Sequence, residues 1–117
     1  MTAATTRIRE LNDALRLHCG LSEHGDWMIT EGVRQRGMPF TIKAMHAVRD
    51  FSDFTPANDP HGEHDFGAFS LEGVRLNWKI DYFDRGSFNK GDEFGSNDPA
   101  DEATTRRVLT VLLAEEY

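Results

Sequence analysis

Between residues 66 and 82 apolar and polar side chains alternate around a two-residue break. Phe66-Gly67-Ala68-Phe69-Ser70-Leu71 leads to Glu72-Gly73, after which Val74, Leu76, Trp78, Ile80 and Tyr82 interleave with Arg75, Asn77, Lys79 and Asp81. Successive side chains of a strand point to opposite faces, so this pattern predicts a β-hairpin with one face on a core and the other toward water. The Gly-containing turn fits a short hairpin connection. An isolated hairpin is barely stable in water. The remainder of the chain must therefore supply a layer that covers the apolar face.

The flanking segments read as that layer. Ile8, Leu11 and Leu15 fall on one helical face with Arg7, Arg9, Glu10 and Arg16 outside it, behind capping threonines and ahead of Gly20, which predicts a helix over about residues 6–19. Trp27-Met28-Ile29-Thr30 is short, apolar and bounded by Gly25-Asp26 and Glu31-Gly32, as a strand would be. Pro39 suits the start of a helix, and Phe40, Ala44, Met45, Val48 and Phe51 then recur at helical spacing. Residues 84–98 show no sustained period and read as a long loop, with Phe88 and Phe94 expected to pin it to the core. Asp98-Pro99 followed by Asp101 and Glu102 resembles a helix start, so the last element is expected to be a helix over about 99–116 burying Val108, Val111 and Leu112. The order α-β-α-β-β-α over 117 residues predicts one small α+β domain, residues 1–117, with helices packed on a mainly antiparallel sheet.

Charge and cysteine content exclude several classes. Residues 1–50 hold seven Lys/Arg against six Asp/Glu, whereas residues 51–117 hold six against fourteen. The second half is thus an acidic surface that repels nucleic-acid phosphates and attracts cations or basic proteins, unless its charge only keeps the chain soluble. Direct nucleic-acid binding is not expected. No apolar stretch approaches the roughly 18 residues of a membrane span, and the amino terminus lacks a secretion signal. A single cysteine, Cys19, has no partner for an internal disulfide and no neighbouring nucleophile motif. These features fit a cytoplasmic chain.

Chemistry concentrates in Asn58-Asp59-Pro60-His61-Gly62-Glu63-His64-Asp65, which packs two of the five histidines and three acids among turn-formers. Two readings stay open. In one, His61, His64 and Asp65 ligate a divalent metal such as zinc or manganese, with Asp59 and Glu63 nearby. An antiparallel hairpin would bring the start of its first strand opposite the end of its second, adding Asp81 and Asp84 and suiting metal-assisted hydrolysis by a nuclease or phosphoesterase. No complete zinc or nuclease motif supports this, and Asn77-Trp78-Lys79 stands where a metal nuclease would place an acid before its lysine. In the other reading no cofactor is needed. Asp59 caps the turn through Pro60 and His61, Gly62 supplies a left-handed backbone angle, and His64 or Asp65 ties the loop to backbone.

The run from Asp53-Phe54-Thr55-Pro56 through His64-Asp65-Phe66-Gly67-Ala68-Phe69, then Lys79-Ile80-Asp81-Tyr82-Phe83-Asp84, Gly95-Ser96-Asn97-Asp98-Pro99-Ala100-Asp101 and the ending Leu112-Leu113-Ala114-Glu115-Glu116-Tyr117, resembles small bacterial proteins grouped as domain of unknown function family 3768. The likeness runs from Arg9-Glu10-Leu11-Asn12 to the carboxyl end, with 86–93 longer than the family pattern. It carries no activity. It implies carriage on plasmids and other mobile elements, hence an accessory role. With the acidic second half, the expectation is a protein that binds a basic macromolecular surface, in one form an inhibitor of a host defence system that presents carboxylates where a nucleic-acid-handling protein expects phosphates. Metal-dependent hydrolysis at His61, His64, Asp65 and Asp81 is the alternative. Nothing in the sequence bears on oligomeric state.

Overall fold

A computed structural model describes residues 2–20, 22–92 and 94–117, so Glu93 of the expected long loop lies outside the described residues. The elements are α1 (Ala3–His18), β1 (Asp26–Ile29), α2 (Glu31–Arg34), α3 (Met38–Arg49), β2 (Phe66–Leu71), β3 (Val74–Asp84), α4 (Arg85–Asn89), β4 (Thr105–Leu113) and a closing 3-10 turn at Ala114–Glu116. Thr2 caps α1 by accepting the Thr5 N–H at 3.1 Å, and Cys19 ends it in the left-handed region at φ 48°.

The predicted hairpin forms as β2 and β3, paired from Phe66 with Lys79 to Leu71 with Val74. The last element departs from expectation. Residues 105–113 form a strand, not a helix, and that strand is central: the sheet order is β1-β4-β3-β2, with β1 parallel to β4 and the other pairs antiparallel. Because β4 is flanked on both edges and covered on much of both faces, its sequence Val108-Leu109-Thr110-Val111-Leu112-Leu113 is apolar nearly throughout and shows no alternation. A short apolar run of this kind suits a buried strand as well as a helix, and Thr105, Val108, Thr110 and Val111 add β-branched preference for the strand. The described fold remains α+β on a mostly antiparallel sheet.

One sheet face carries the core. The cross-strand pairs Leu76 with Leu113, Trp78 with Val111 and Ile80 with Leu109 point the same way and meet Leu15 of α1, Val33 of α2 and Phe40, Ala44 and Val48 of α3. Arg16, expected on the outer face of its helix, is buried. On the opposite face Val108 and Leu112 of β4 are also buried, and there Phe88 of α4 packs on Phe83 at 5.4 Å between centroids and Tyr117 meets Phe66 at 6.2 Å. Phe94, expected to pin its loop as Phe88 does, is instead 66% exposed. The starts of β1, β2 and β4 and the end of β3 all lie at one end of the sheet. The 50–65 loop and the 84–104 excursion therefore share that end.

Candidate functional site

The 50–65 loop is built around Asp59. Its backbone N–H donates to the Thr55 carbonyl at 2.8 Å, and its buried carboxylate accepts the N–H groups of Glu63 and His64, each at 3.1 Å. Asn58 and Thr55 exchange side-chain to backbone bonds, closing the preceding turn. Gly62 takes φ 69°, as the bracing arrangement of this loop requires. His64 also lies at positive φ, 55°, an uncommon angle for a residue with a β-carbon. Its surroundings hold it there: the ring stacks on Phe54 at 3.7 Å with planes 5° apart, Nδ1 faces Asp13 Oδ1 at 2.9 Å, and Nε2 faces Asp59 Oδ2 at 3.7 Å.

The loop is fastened to α1 by residues that lie outside the apolar period of that helix. Asp13 also pairs with Arg16 at 2.9 Å. Arg16 then donates to the carbonyls of Val48 at 3.0 Å and Phe51 at 2.8 Å, past the last turn of α3, while its guanidinium lies 5.2 Å from the rings of both Phe54 and Trp78. Asn12 is wholly buried. Its amide donates to the Glu63 carbonyl at 3.0 Å and to Tyr82 Oη at 2.7 Å, and its carbonyl accepts Arg107 Nε at 2.8 Å. Tyr82 donates to Glu63 Oε1 at 3.0 Å, and burial pushes its hydroxyl well above the ordinary range, so it stays a donor. Burial likewise lowers Arg107, which also donates to the Pro99 carbonyl and lies 5.2 Å from the Tyr82 ring.

The predicted site residues separate. Asp59, Glu63 and His64 form the braced knot just described, and His61 is exposed at its edge. Asp65 joins β3 through its carbonyl, which accepts the Ile80 N–H at 2.9 Å; burial and the neighbouring Glu63 carboxylate raise its own carboxyl above the usual range. The expected approach of the two hairpin ends is therefore present in the backbone. Asp81 nevertheless does not join the cluster. The pleat turns Tyr82 toward Glu63 and sends Asp81 to the opposite face, where it pairs with Lys79 at 3.0 Å. Asp84 is occupied in capping α4, accepting both the N–H and the hydroxyl of Ser87 at 3.0 Å, bonds that hold its carboxyl below the usual range. The pocket of His61, His64, Asp65 and Asp81 is thus not assembled. Among the described residues no group of three or more His, Cys, Asp or Glu is placed to hold a metal ion.

The geometry does leave a concavity of about 590 Å³ between the first turns of α1 and the loop, walled by Thr2, Thr5, Arg9, Phe54 and His61 among others. On the neighbouring side, the 84–104 excursion carries six acids against Arg85 and Lys90. It is fixed along the end of β3: Asp84 N–H donates to the Phe94 carbonyl at 2.6 Å and Ser96 N–H to the Tyr82 carbonyl at 3.0 Å. Thr105 reaches back to the Asp98 carbonyl at 2.9 Å, and Arg85 to those of Glu102 and Thr105 at 3.1 and 3.0 Å. Asp92, Phe94, Asp98 and Asp101 face outward from this frame.

A family model described as "Protein of unknown function (DUF3768)" matches residues 29–116 of the chain. No curated protein and no solved structure gives a match.

Proposed function

Since the chain belongs to the DUF3768 family of proteins of unknown function, its role is read from its own surface, and we propose that it binds a basic macromolecular partner through the acidic excursion. The observation that carries this reading is the exposure of Phe94, 66% accessible, inside a hydrogen-bonded frame that also displays Asp92, Asp98 and Asp101. An aromatic side chain held in water gains about 1.5–3 kcal/mol when a partner buries it, and the surrounding carboxylates steer a cationic surface toward it. Lys90 and Arg85 are too few to offset those acids. Nucleic acid would be repelled. No described helix is long and apolar enough to cross a membrane, and the reading places the protein in the bacterial cytoplasm. In its sharpest form it is an accessory factor of mobile elements that occupies the nucleic-acid groove of a host defence protein.

The test is a pull-down from host lysate at low and moderate salt with the natural chain and with an Asp92→Asn/Asp98→Asn/Asp101→Asn variant. Asparagine keeps the acceptor that Asp98 offers to the Ala100 N–H and that Asp101 offers to the Ala103 N–H, so the frame is retained. The expected outcome is a basic, nucleic-acid-handling partner recovered by the natural chain, released by added salt and lost in the variant. Recovery of no such partner at either salt, or equal recovery by the variant, overturns the proposal.

A further inference from the structure

We infer that the free edge of β1 pairs with the same edge of a second copy of the chain, joining the two sheets antiparallel across a two-fold axis at Met28. β1 lies at one margin of the sheet, with β4 as its neighbour on the inner side. The Thr30 N–H donates to the Val111 carbonyl at 3.1 Å, so on this parallel ladder the backbone groups of Asp26 and Met28 also turn toward β4, and those of Trp27 and Ile29 turn outward. The outward groups have no hydrogen-bond partner among the described residues. Exposed edges are ordinarily guarded by lysine, proline or a bulge. β1 has none of these, and its one charge, Asp26, is held by Arg106 at 2.9 Å. Along the edge runs a cleft of about 420 Å³ lined by Trp27, Ile29 and Met45 and by Met28, Phe88 and Val108, among others. Met28 is 58% exposed there.

Charge selects the occupant. Glu23 precedes the strand and Arg34 follows it; both are exposed, and neither has an ion-pair partner among the described residues. Antiparallel pairing sets the amino end of one β1 beside the carboxyl end of the other, so each Glu23 comes to the side from which the other copy's Arg34 extends. Asp26 stands opposite Thr30, and no like charges meet along the strand. The edge is its own complement, whereas a foreign cationic strand would answer Glu23 but meet Arg34 with like charge. In this register Trp27 of one copy and Ile29 of the other exchange N–H to carbonyl bonds in both directions. The two Met28 side chains form a close, non-hydrogen-bonded pair on the face away from the core, their β-carbons about 5 Å apart, and a flexible thioether accommodates such a self-contact. Strands of four residues make a small interface, so the dimer forms and parts with concentration. It presents the two acidic excursions at opposite ends of the joined sheet, and it stands independently of what those excursions bind.

Sedimentation equilibrium of the full chain from about 5 to 500 μM, with amide hydrogen exchange at both extremes, tests it. The expected result is a monomer–dimer equilibrium in which the Trp27 and Ile29 amides become protected as concentration rises. Met28→Lys, which opposes two ammonium groups across the axis, is expected to weaken dimerisation at least about tenfold while leaving the melting temperature of the dilute monomer unchanged. Arg34→Glu alone is expected to weaken it about tenfold, and Glu23→Arg/Arg34→Glu together to restore it. Ala68→Lys, exposed on the opposite edge strand β2, is the control and should change nothing. A chain that stays monomeric throughout the range, including one whose Trp27 and Ile29 amides are protected only by an added Lys-Val repeat peptide, overturns the inference. So does a dimer indifferent to Met28→Lys, one disrupted equally by Ala68→Lys, or a charge exchange that fails to restore association.

Discussion

Replacing Asn12 by Leu removes the group that joins the loop, the sheet and Arg107 while keeping the number and branching of the side-chain heavy atoms. Arg107 is 1% exposed and remains charged, and its NH1 has no hydrogen-bond partner among the described residues, so its Nε bond to Asn12 matters out of proportion. Losing a hydrogen bond to a charged group costs about 1.5–3 kcal/mol, and the Glu63 carbonyl, half-shielded, loses its donor for about 1 kcal/mol more. Tyr82 loses less, because its hydroxyl still donates to Glu63. The total is about 3–4 kcal/mol, a large share of the roughly 5–15 kcal/mol that holds a domain together. In urea unfolding the midpoint should fall by about 2 M at unchanged slope. Removing the charge as well, in Asn12→Leu/Arg107→Met, should restore part of the loss, leaving the double variant about 2 kcal/mol more stable than the two single effects predict. A single-variant cost below about 1 kcal/mol, or additivity within about 0.5 kcal/mol, would refute the view that Asn12 compensates a buried charge.

Two further outcomes follow from the same region. A β-carbon at Gly67 would collide with the Trp78 indole nitrogen and lie 2.8 Å from the Phe51 ring, so Gly67→Ala should destabilise by about 1–3 kcal/mol and alter tryptophan fluorescence; unchanged stability would mean the core yields there. Asp65 is raised by burial first and Glu63 second, so the folded chain holds its proton at pH values where the unfolded chain has released it, and this group lowers stability as pH rises from the ordinary carboxylate range through the raised value. Asp65→Asn should then stabilise the protein at neutral pH and flatten that stretch of the curve, whereas a variant less stable at neutral pH would contradict the assignment.

The hairpin and α1 were legible because each exposes one face and buries the other, which leaves a period in the sequence. β4 was not, because a strand shielded on both faces has no polar side to mark its alternation, and Asp98-Pro99 imitates a helix start while serving a turn. The chemistry-rich loop was legible as a density of histidines and acids, and Asp59 and Gly62 act there as turn chemistry requires. Its partners were hidden. Asn12, Asp13 and Arg16 look like the wet side of an amphipathic helix, and only the tertiary fold shows that this side is covered by a loop some fifty residues away, as in the 51-residue separation of Asp13 and His64. The strand period itself separates Asp81 from that loop once Tyr82 is seen to face Glu63.

The position of β4 bears on how the chain reaches its native form. β1 and β3 are not neighbours in the sheet; β4 lies between them and is made some eighty residues after β1 and twenty after β3, as the pairings of Asp26 with Val108 and Asp84 with Thr105 show. During synthesis the early strand would wait without a neighbour, and closure would come in one late, cooperative step that also delivers Arg107 to Asn12. A ribosome-stalled chain ending before residue 105 should keep a nascent hairpin yet remain sensitive to protease along its amino-terminal half.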